Sequence, residues 1–208
     1  MSRAHREYFN QLAPQWNTKV SDDPILYHYL VRFGIAQGDT VVDVGAGTGR
    51  LTSHLSNLVG SQGRVVALDI AERMLSEAKW SMQHNHTVFV CSDICTLTLK
   101  SDCFDKVICF SVFPHILDPQ SALQEIYRVL RPGGKLLILH TQSSQRLNAF
   151  HASLNGVVNR DLLLPVEKVE LLAIQAGFHS QSLSESEDLY WAEFIKPESH
   201  RSYRLVSK

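Results

Sequence analysis

The chain has 208 residues, room for one domain at the usual ~100–200 residues each. Its 21 acidic and 20 basic residues leave a net charge of −1, which weighs against a dedicated nucleic-acid binder, because such proteins carry a basic surplus. A composition of 44% hydrophobic and 20% charged residues excludes a disordered or collagen-like chain.

The first 38 residues read as a helical cap. Arg3–Asn17 forms one segment interrupted at Pro14, and Asp23-Pro24 opens a second, with Asp23 as N-cap and Pro24 at the first helical position. Ile25, Tyr29, Leu30 and Phe33 make its expected apolar face, and Gly34 and Gly38 close it. The remainder alternates short β-branched runs with helical stretches, the pattern of an α/β fold with a mostly parallel sheet. Strands are expected at Thr40–Val44, Arg64–Asp69, Thr87–Cys91, Lys106–Ser111 and Lys135–His140. Helices are expected at Leu51–Leu58, Ala71–Gln83, from Asp118-Pro119 to about Leu130, and at Glu167–Ala176. Two late runs, Ser180–Leu183 and Leu189–Ile195, suit an antiparallel pair at the sheet edge. Gln142–Leu164 is the least regular stretch and the candidate lid over a substrate.

The opening MSRAHREYFNQLAPQW lacks the apolar stretch of a secretory signal. No run approaches the ~18 apolar residues of a membrane span. Cys91, Cys95, Cys103 and Cys109 lack the paired spacing of zinc sites and are too sparse for a disulfide scaffold. Free thiols without a signal point to the cytoplasm.

Strands as apolar as VVDV and LLIL suit a sheet covered on both faces. Ligands of such sheets bind beyond the carboxyl ends of the strands. Asp69, Ser92-Asp93, Ser111 and His140 gather there, together with the loop Asp43-Val-Gly-Ala-Gly-Thr-Gly49. Glycines at a strand-to-helix turn accept positive φ and admit a ligand close to the backbone. Their GxGxG spacing departs from the GxGxxG of dinucleotide folds, and the Lys-Ser/Thr of a phosphate loop is missing. A carboxylate at Asp69 suits the two hydroxyls of a ribose, and one at Asp93 suits an adenine amino group. Turn capping explains each acid alone; acids at three successive strand ends favour a nucleoside site.

With these motifs in hand, VVDVGAGTGRL, VVALDIAERML, CSDI, FDKVICFSVFPHI and LQEIYRVLRPGGKLLILH resemble the successive motifs of the class I S-adenosylmethionine-dependent methyltransferases. The resemblance runs from about Tyr8 to Gly177 and is greatest to the group that includes the ubiquinone/menaquinone C-methyltransferases. It implies a Rossmann-like fold of seven mostly parallel strands with helices on both faces, making residues 1–208 a single methyltransferase domain. It implies S-adenosylmethionine as cofactor and S-adenosylhomocysteine as product. Gly45 and Gly47 would line the methionine end, with Asp43 orienting the loop and the amino group. Asp69 would hold the ribose, Ile70 and Ile94 would flank the adenine, and Asp93 would bond its amino group. Phe110 and Ser111 would pass beside the methionine moiety. Tyr8, Phe9 and Trp16 match the segment that closes over the cofactor in relatives, and Tyr8 is a candidate substrate contact.

Methyl transfer from a sulfonium needs alignment and a dry pocket, and needs a base only when the acceptor carries a proton. His115 and His140 fall at the productive edge, and His151 joins them if the intervening segment folds back. They are candidates to bind or deprotonate a small-molecule acceptor, or to hold a metal, since imidazole suits both roles. Local bonding at a strand end is the plainer account of His140, and an exposed helix that of His151. His5, His28, His54, His84, His86, His179 and His200 show no constellation. Asn148, Asn155 and Asp161 are weaker polar candidates in the same segment. The rival reading is a non-catalytic module that binds S-adenosylmethionine or a metal on the same fold.

Overall fold

A computed structural model of the chain describes residues 1–20, 24–82 and 85–198. The expected N-cap Asp23, and His84 and His200, lie outside the described residues. The N-terminal cap consists of α1 (Arg3–Leu12), a 3-10 turn at Ala13–Gln15 carrying Pro14, α2 (Trp16–Lys19) and α3 (Ile25–Phe33). Ser2 starts α1, its Oγ accepting the His5 backbone N–H, as N-cap hydroxyls do. Helix α3 buries Leu26, Leu30 and Phe33, spaced i, i+4, i+7 on one face, and ends on Gly34 at φ 82°. The expected inward Ile25 is instead exposed, one residue out of that stripe.

The sheet then builds through β1 (Thr40–Val44), α4 (Arg50–Val59), β2 (Arg64–Asp69), α5 (Glu72–Ser81), β3 (Thr87–Cys91), β4 (Phe104–Phe110), α6 (Pro119–Val129) and β5 (Leu130–His140). It is completed by α7 (Ser144–Ser153), α8 (Val166–Gln175), β6 (His179–Ser186) and β7 (Leu189–Ile195). The strand order is β3-β2-β1-β4-β5-β7-β6. All pairs among β1 to β5 are parallel, and β7 runs antiparallel to both β5 and β6. The seven-stranded, mostly parallel α/β fold read from the sequence is therefore present.

Side chains alternate across each strand. One face presents Val42, Val44, Val66, Leu68, Val107, Cys109, Leu136 and Ile138 to α6 and α8, through Leu123, Ile126, Val169 and Ala173. The other presents Val41, Val65, Ile108, Leu137 and Leu139 to α3 and α4, through Leu26, Leu30, Phe33, Leu51 and Leu55. Lys196, just past β7, is buried, and its ammonium donates to Asp102 Oδ1 (2.6 Å), Leu130 O (2.7 Å) and Tyr127 O (2.9 Å). A buried charge persists only with such partners.

Two expectations change. The Arg131-Pro-Gly-Gly134 stop lies inside β5, with a register shift between Phe104 and Lys106 where β4 pairs it. Gln142–Leu164 is mostly ordered into α7 and a 3-10 turn at Val157–Arg160. Ser143 caps α7 by accepting from Arg146 N, and Glu185 Oε1 accepts from both N and Oγ of Ser144. Asn148 exchanges two hydrogen bonds with the Leu163 backbone.

Trp191 is fully buried in β7, with the Arg32 guanidinium 4.2 Å from its ring centroid and the Tyr29 and Phe33 rings at 6.1 and 6.4 Å. Replacing it with Ala should cost about 3–5 kcal/mol through lost burial and a cavity, read from the urea midpoint. Trp80, 88% exposed on α5, is the control: Trp80→Ala should stay within about 0.5 kcal/mol of the parent.

Candidate functional site

The glycine loop joins β1 to α4 with Gly45, Gly47 and Gly49 at φ 71°, 56° and 90°. A Cβ on Gly45 would stand 2.3 Å from Val112 Cγ2, so the close passage of the loop over that residue tolerates no side chain. Asp69, at the end of β2, pins the loop: its Oδ2 accepts the Gly47 N–H at 2.9 Å and its Oδ1 the Ala71 N–H at 2.8 Å. Burial pushes the Asp69 carboxyl up, against the pull of those N–H groups. Asp43 is buried beneath the loop and accepts the Thr52 hydroxyl at 2.6 Å. Its carboxyl is raised to about 7, chiefly by burial, with the Thr52 bond opposing. Ser111, where β4 ends, holds φ 53°, a backbone conformation uncommon outside glycine and concentrated at functional sites.

All nine residues expected to hold the cofactor line two adjoining recesses. Asp43, Gly45, Gly47, Asp69, Phe110 and Ser111 border a cavity of about 90 Å³. Gly45, Asp69, Ile70, Asp93 and Ile94 border a smaller one of about 10 Å³. Met1 faces both, and Phe9 and Trp16 face the larger. The Met1 amino group donates to Asp93 Oδ2 at 2.9 Å. Burial favours the neutral acid at Asp93, but the Cys95 N–H and this ammonium hold its carboxyl below the usual range. The donor set suits a nucleoside: two strand-end carboxylates, apolar walls at Ile70 and Ile94, and an amino group already seated on Asp93. The volume is well under the ~300–1,000 Å³ of ligand pockets, because the N-terminal segment is folded down upon it.

A second cavity, about 490 Å³, lies beside the first. Tyr8, Phe9, Leu12 and Trp16 wall it from the cap, Leu147, Phe150, His151 and Leu154 from α7 and its end, and His115 and His140 from the sheet edge. Five residues, Phe9, Trp16, Arg50, Ser111 and His115, border both this cavity and the glycine-loop cavity.

His115 sits in a 3-10 turn after β4 and is buried. Its Nδ1 bonds Asp161 Oδ2 at 2.6 Å. The same carboxylate meets His5 Nε2 at 3.0 Å from each oxygen, and His5 Nδ1 lies 2.7 Å from Ser2 Oγ. An ionised carboxylate only accepts, so the proton lies on His5 Nε2 and on His115 Nδ1, and His115 Nε2 carries the free lone pair. His151 Nδ1 donates to the Asp161 carbonyl at 2.9 Å, and its ring centroid is 5.2 Å from that of His115. Burial disfavours charge on His115 and draws its pKa down, against the pull of Asp161. Asp161 is itself partly desolvated, but the bonds from His115 and His5 hold its carboxyl below the usual range. His140 is buried at the end of β5, with Nε2 lacking a hydrogen-bond partner among the described residues; burial, with His115 and His151 nearby, takes its pKa down to about 3.

The structure thus brings His115 and His151 together and sets His140 and Tyr8 on the same cavity. It corrects two readings: His5 belongs to the constellation, and His151 is buried. Among the described residues, the donor atoms that converge closely enough to suit a metal are those of His5, His115 and Asp161, in place of the expected His115, His140 and His151. Asp161 had only a weak signal and His5 none, because 156 residues separate them and neither lies in a motif. Cys109 is buried in β4, an inert thiol pushed far up by burial. Arg146 pairs at the surface with Asp188 and Glu187.

Residues 42–138 match a family model described as a methyltransferase domain. The ubiquinone/menaquinone biosynthesis C-methyltransferase UbiE of Marinomonas sp. (strain MWYL1) is 35% identical over 116 residues, 54% of this chain and 46% of that protein. The chain spans less than half the length of the curated relatives it matches. Among solved structures, a chain of the complex between the Haloferax volcanii Trm112 methyltransferase activator and a methyltransferase aligns at TM-score 0.77 and 20% identity, covering 91% of this chain and 98% of that one. A SAM-dependent methyltransferase from Aquifex aeolicus aligns at 0.71 and 21% identity, covering 92% and 98%. These findings do not favour the non-catalytic alternative. With residues 42–138 matching a methyltransferase domain and the fold shared with solved methyltransferase structures over nine-tenths of its length, the chain resembles the class I S-adenosylmethionine-dependent methyltransferases, a likeness that implies S-adenosylmethionine as cofactor.

Proposed function

We propose that the chain transfers the methyl group of S-adenosylmethionine to a small-molecule acceptor held in the 490 Å³ cavity, with His115 as general base. The observation that carries this is the place of one imidazole. His115 borders both cavities, and its bond to Asp161 turns the unprotonated Nε2 away from the carboxylate. The volume and apolar walls suit a ligand of metabolite size. The named role of the UbiE relatives in quinone biosynthesis is also a small-molecule one.

S-adenosylmethionine supplies a methyl group already activated on a sulfonium, and leaves as S-adenosylhomocysteine. The chain's part is alignment and exclusion of water. Gly45 and Gly47 line the methionine end, and Asp43 faces its amino group. Asp69 takes the ribose hydroxyls. Asp93 takes the adenine amino group in place of Met1, between Ile70 and Ile94. Phe110 and Ser111 would pass beside the methionine moiety. For the cofactor to enter, Met1, Phe9 and Trp16 must lift away from the 90 Å³ cavity they now narrow. Tyr8 and His151 wall the acceptor, and the unpartnered His140 Nε2 accepts from an acceptor hydroxyl. His140 stays neutral at working pH, so proton removal falls to His115. In this reading residues 1–208 are one domain, with 1–38 as cap and 142–164 as lid. It works in the cytoplasm, where its free cysteines stay reduced, and has no nucleic-acid substrate.

Three outcomes follow. In calorimetric titration with S-adenosylhomocysteine, Asp69→Asn should weaken binding about 10- to 100-fold, the worth of one or two hydrogen bonds to a charged group. Unchanged affinity would remove Asp69 from the ribose. In a cofactor-consumption screen against metabolite pools, His115→Ala should slow turnover of any accepted pool about 10²- to 10⁴-fold. Its affinity for S-adenosylhomocysteine should stay near that of the parent; full turnover would sink the base assignment. Asp43 gives a pH signature. Its folded carboxyl titrates near 7 and its unfolded one near 3.8, so the folded state holds the extra proton between them. Its contribution to stability is therefore greatest below pH ~4 and is lost as pH rises toward ~7. Thermal melts of the free protein should show Asp43→Asn abolishing that decline, and so gaining on the parent at pH 8.

A further inference from the structure

We infer that His5 is a positioning residue whose docking on Asp161 completes the His115 base, so that closing the N-terminal helix and arming the site are one event. This rests on the reading of His115 as base and extends it to a residue outside the matched methyltransferase domain.

Three observations carry it. The first is the chain of bonds Ser2 Oγ–His5–Asp161–His115, with heavy-atom distances of 2.7, 3.0 and 2.6 Å. Asp161 can hold one proton arrangement only: both imidazoles donate to it, His5 Nδ1 accepts from the Ser2 hydroxyl, and His115 is left with a bare Nε2. The second is burial. His5 is 2% exposed and Asp161 4%, so removing one donor strands a carboxylate oxygen in a place costly to leave unpaired. The third is location. His5 and Ser2 belong to the segment that carries Met1, Phe9 and Trp16, which crowd the cofactor cavity. When that segment lifts to admit the cofactor, His5 leaves Asp161 with it. The base is then complete only over a closed, dry site, which guards the activated methyl from water.

The groups facing His115 from the elements around it are Asp161, His5 on α1, His151 on α7 and His140 on β5. Tyr8 senses the Asp161 charge from α1. With His5 in place, the carboxylate is shared between two donors. Without it, the whole negative charge serves His115. That favours the imidazolium, so loss of His5 moves the His115 titration upward.

Nitrogen-15 spectra of the histidine-labelled full chain read ring tautomer and titration directly, with S-adenosylhomocysteine as the cofactor probe. In the parent, His115 should show the Nδ1–H tautomer. In His5→Ala, its midpoint should rise by about half a pH unit or more, and His5→Gln, which keeps an N–H donor, should return most of that shift. Far-ultraviolet circular dichroism checks that each variant is folded. A His115 midpoint unmoved in folded His5→Ala overturns the coupling. Asp161→Asn separates that failure from failure of the base assignment: if it too leaves the His115 tautomer and midpoint unmoved, the dyad itself is wrong. Zinc is the remaining arm. Stoichiometric, tight zinc binding by the parent that His5→Ala abolishes would make the three residues a metal site and overturn the positioning role of His5.

Discussion

Everything at the functional end of this molecule depends on the reversal between β1 and β4. A parallel strand pair requires a crossover, and crossovers are right-handed almost without exception. The chain winds outward to β2 and β3 on one side of that point and to β5 on the other. Its helices must then cover opposite faces, α4 with one sheet surface and α6 with the other. No helix can cover the gap where the winding divides. The glycine loop, Asp43, Phe110 and Ser111 border it because they stand at the ends of those two strands. Chemistry is thus placed by topology, and the side chains only specialise it.

The gap is closed from outside. The cap contributes Phe9 and Trp16 over the cofactor cavity and Tyr8 and Leu12 over its neighbour. α7 and the turn after it supply the opposite wall. Asp161 joins the two halves, reached by His5 from the cap and His115 from the sheet edge. A buried carboxylate shared by two imidazoles costs less than either a bare carboxylate or a lone imidazolium in the same place.

Much of this was legible in the sequence. The apolar β-branched runs located β1, β2 and β3 to the residue, and the acids that follow them marked the nucleoside recess. Leu189–Ile195 was read correctly as a strand because its pattern is unbroken. Two features were hidden for physical reasons. Helix α7 has no strong apolar stripe and is rich in Ser, Gln and Asn, so its stability comes from the Ser143 cap and from Glu185 on a distant strand. The His5–Asp161 contact joins residues 156 apart and leaves no periodicity in either segment. Local pattern reports what a segment buries, and it is silent on which distant group a polar side chain meets.

The insertion of β7 between β5 and β6 bears on how the molecule is made. β5 offers its outer edge, from Lys135 to His140, to residues Tyr190 to Ile195, between 50 and 60 positions further along the chain. During synthesis the five parallel strands and their helices leave the ribosome with that apolar edge unsatisfied, and β6 emerges before the strand that must separate it from β5. Direct pairing of β6 with β5 is the competing product, and an exposed edge of this kind invites association with other chains. The polar run His179–Ser186 counters it: HSQSLSES makes a poor partner for LLILH, and LYWAEFI a far better one. The late strand wins its place by hydrophobic match, and the order of synthesis is corrected by chemistry.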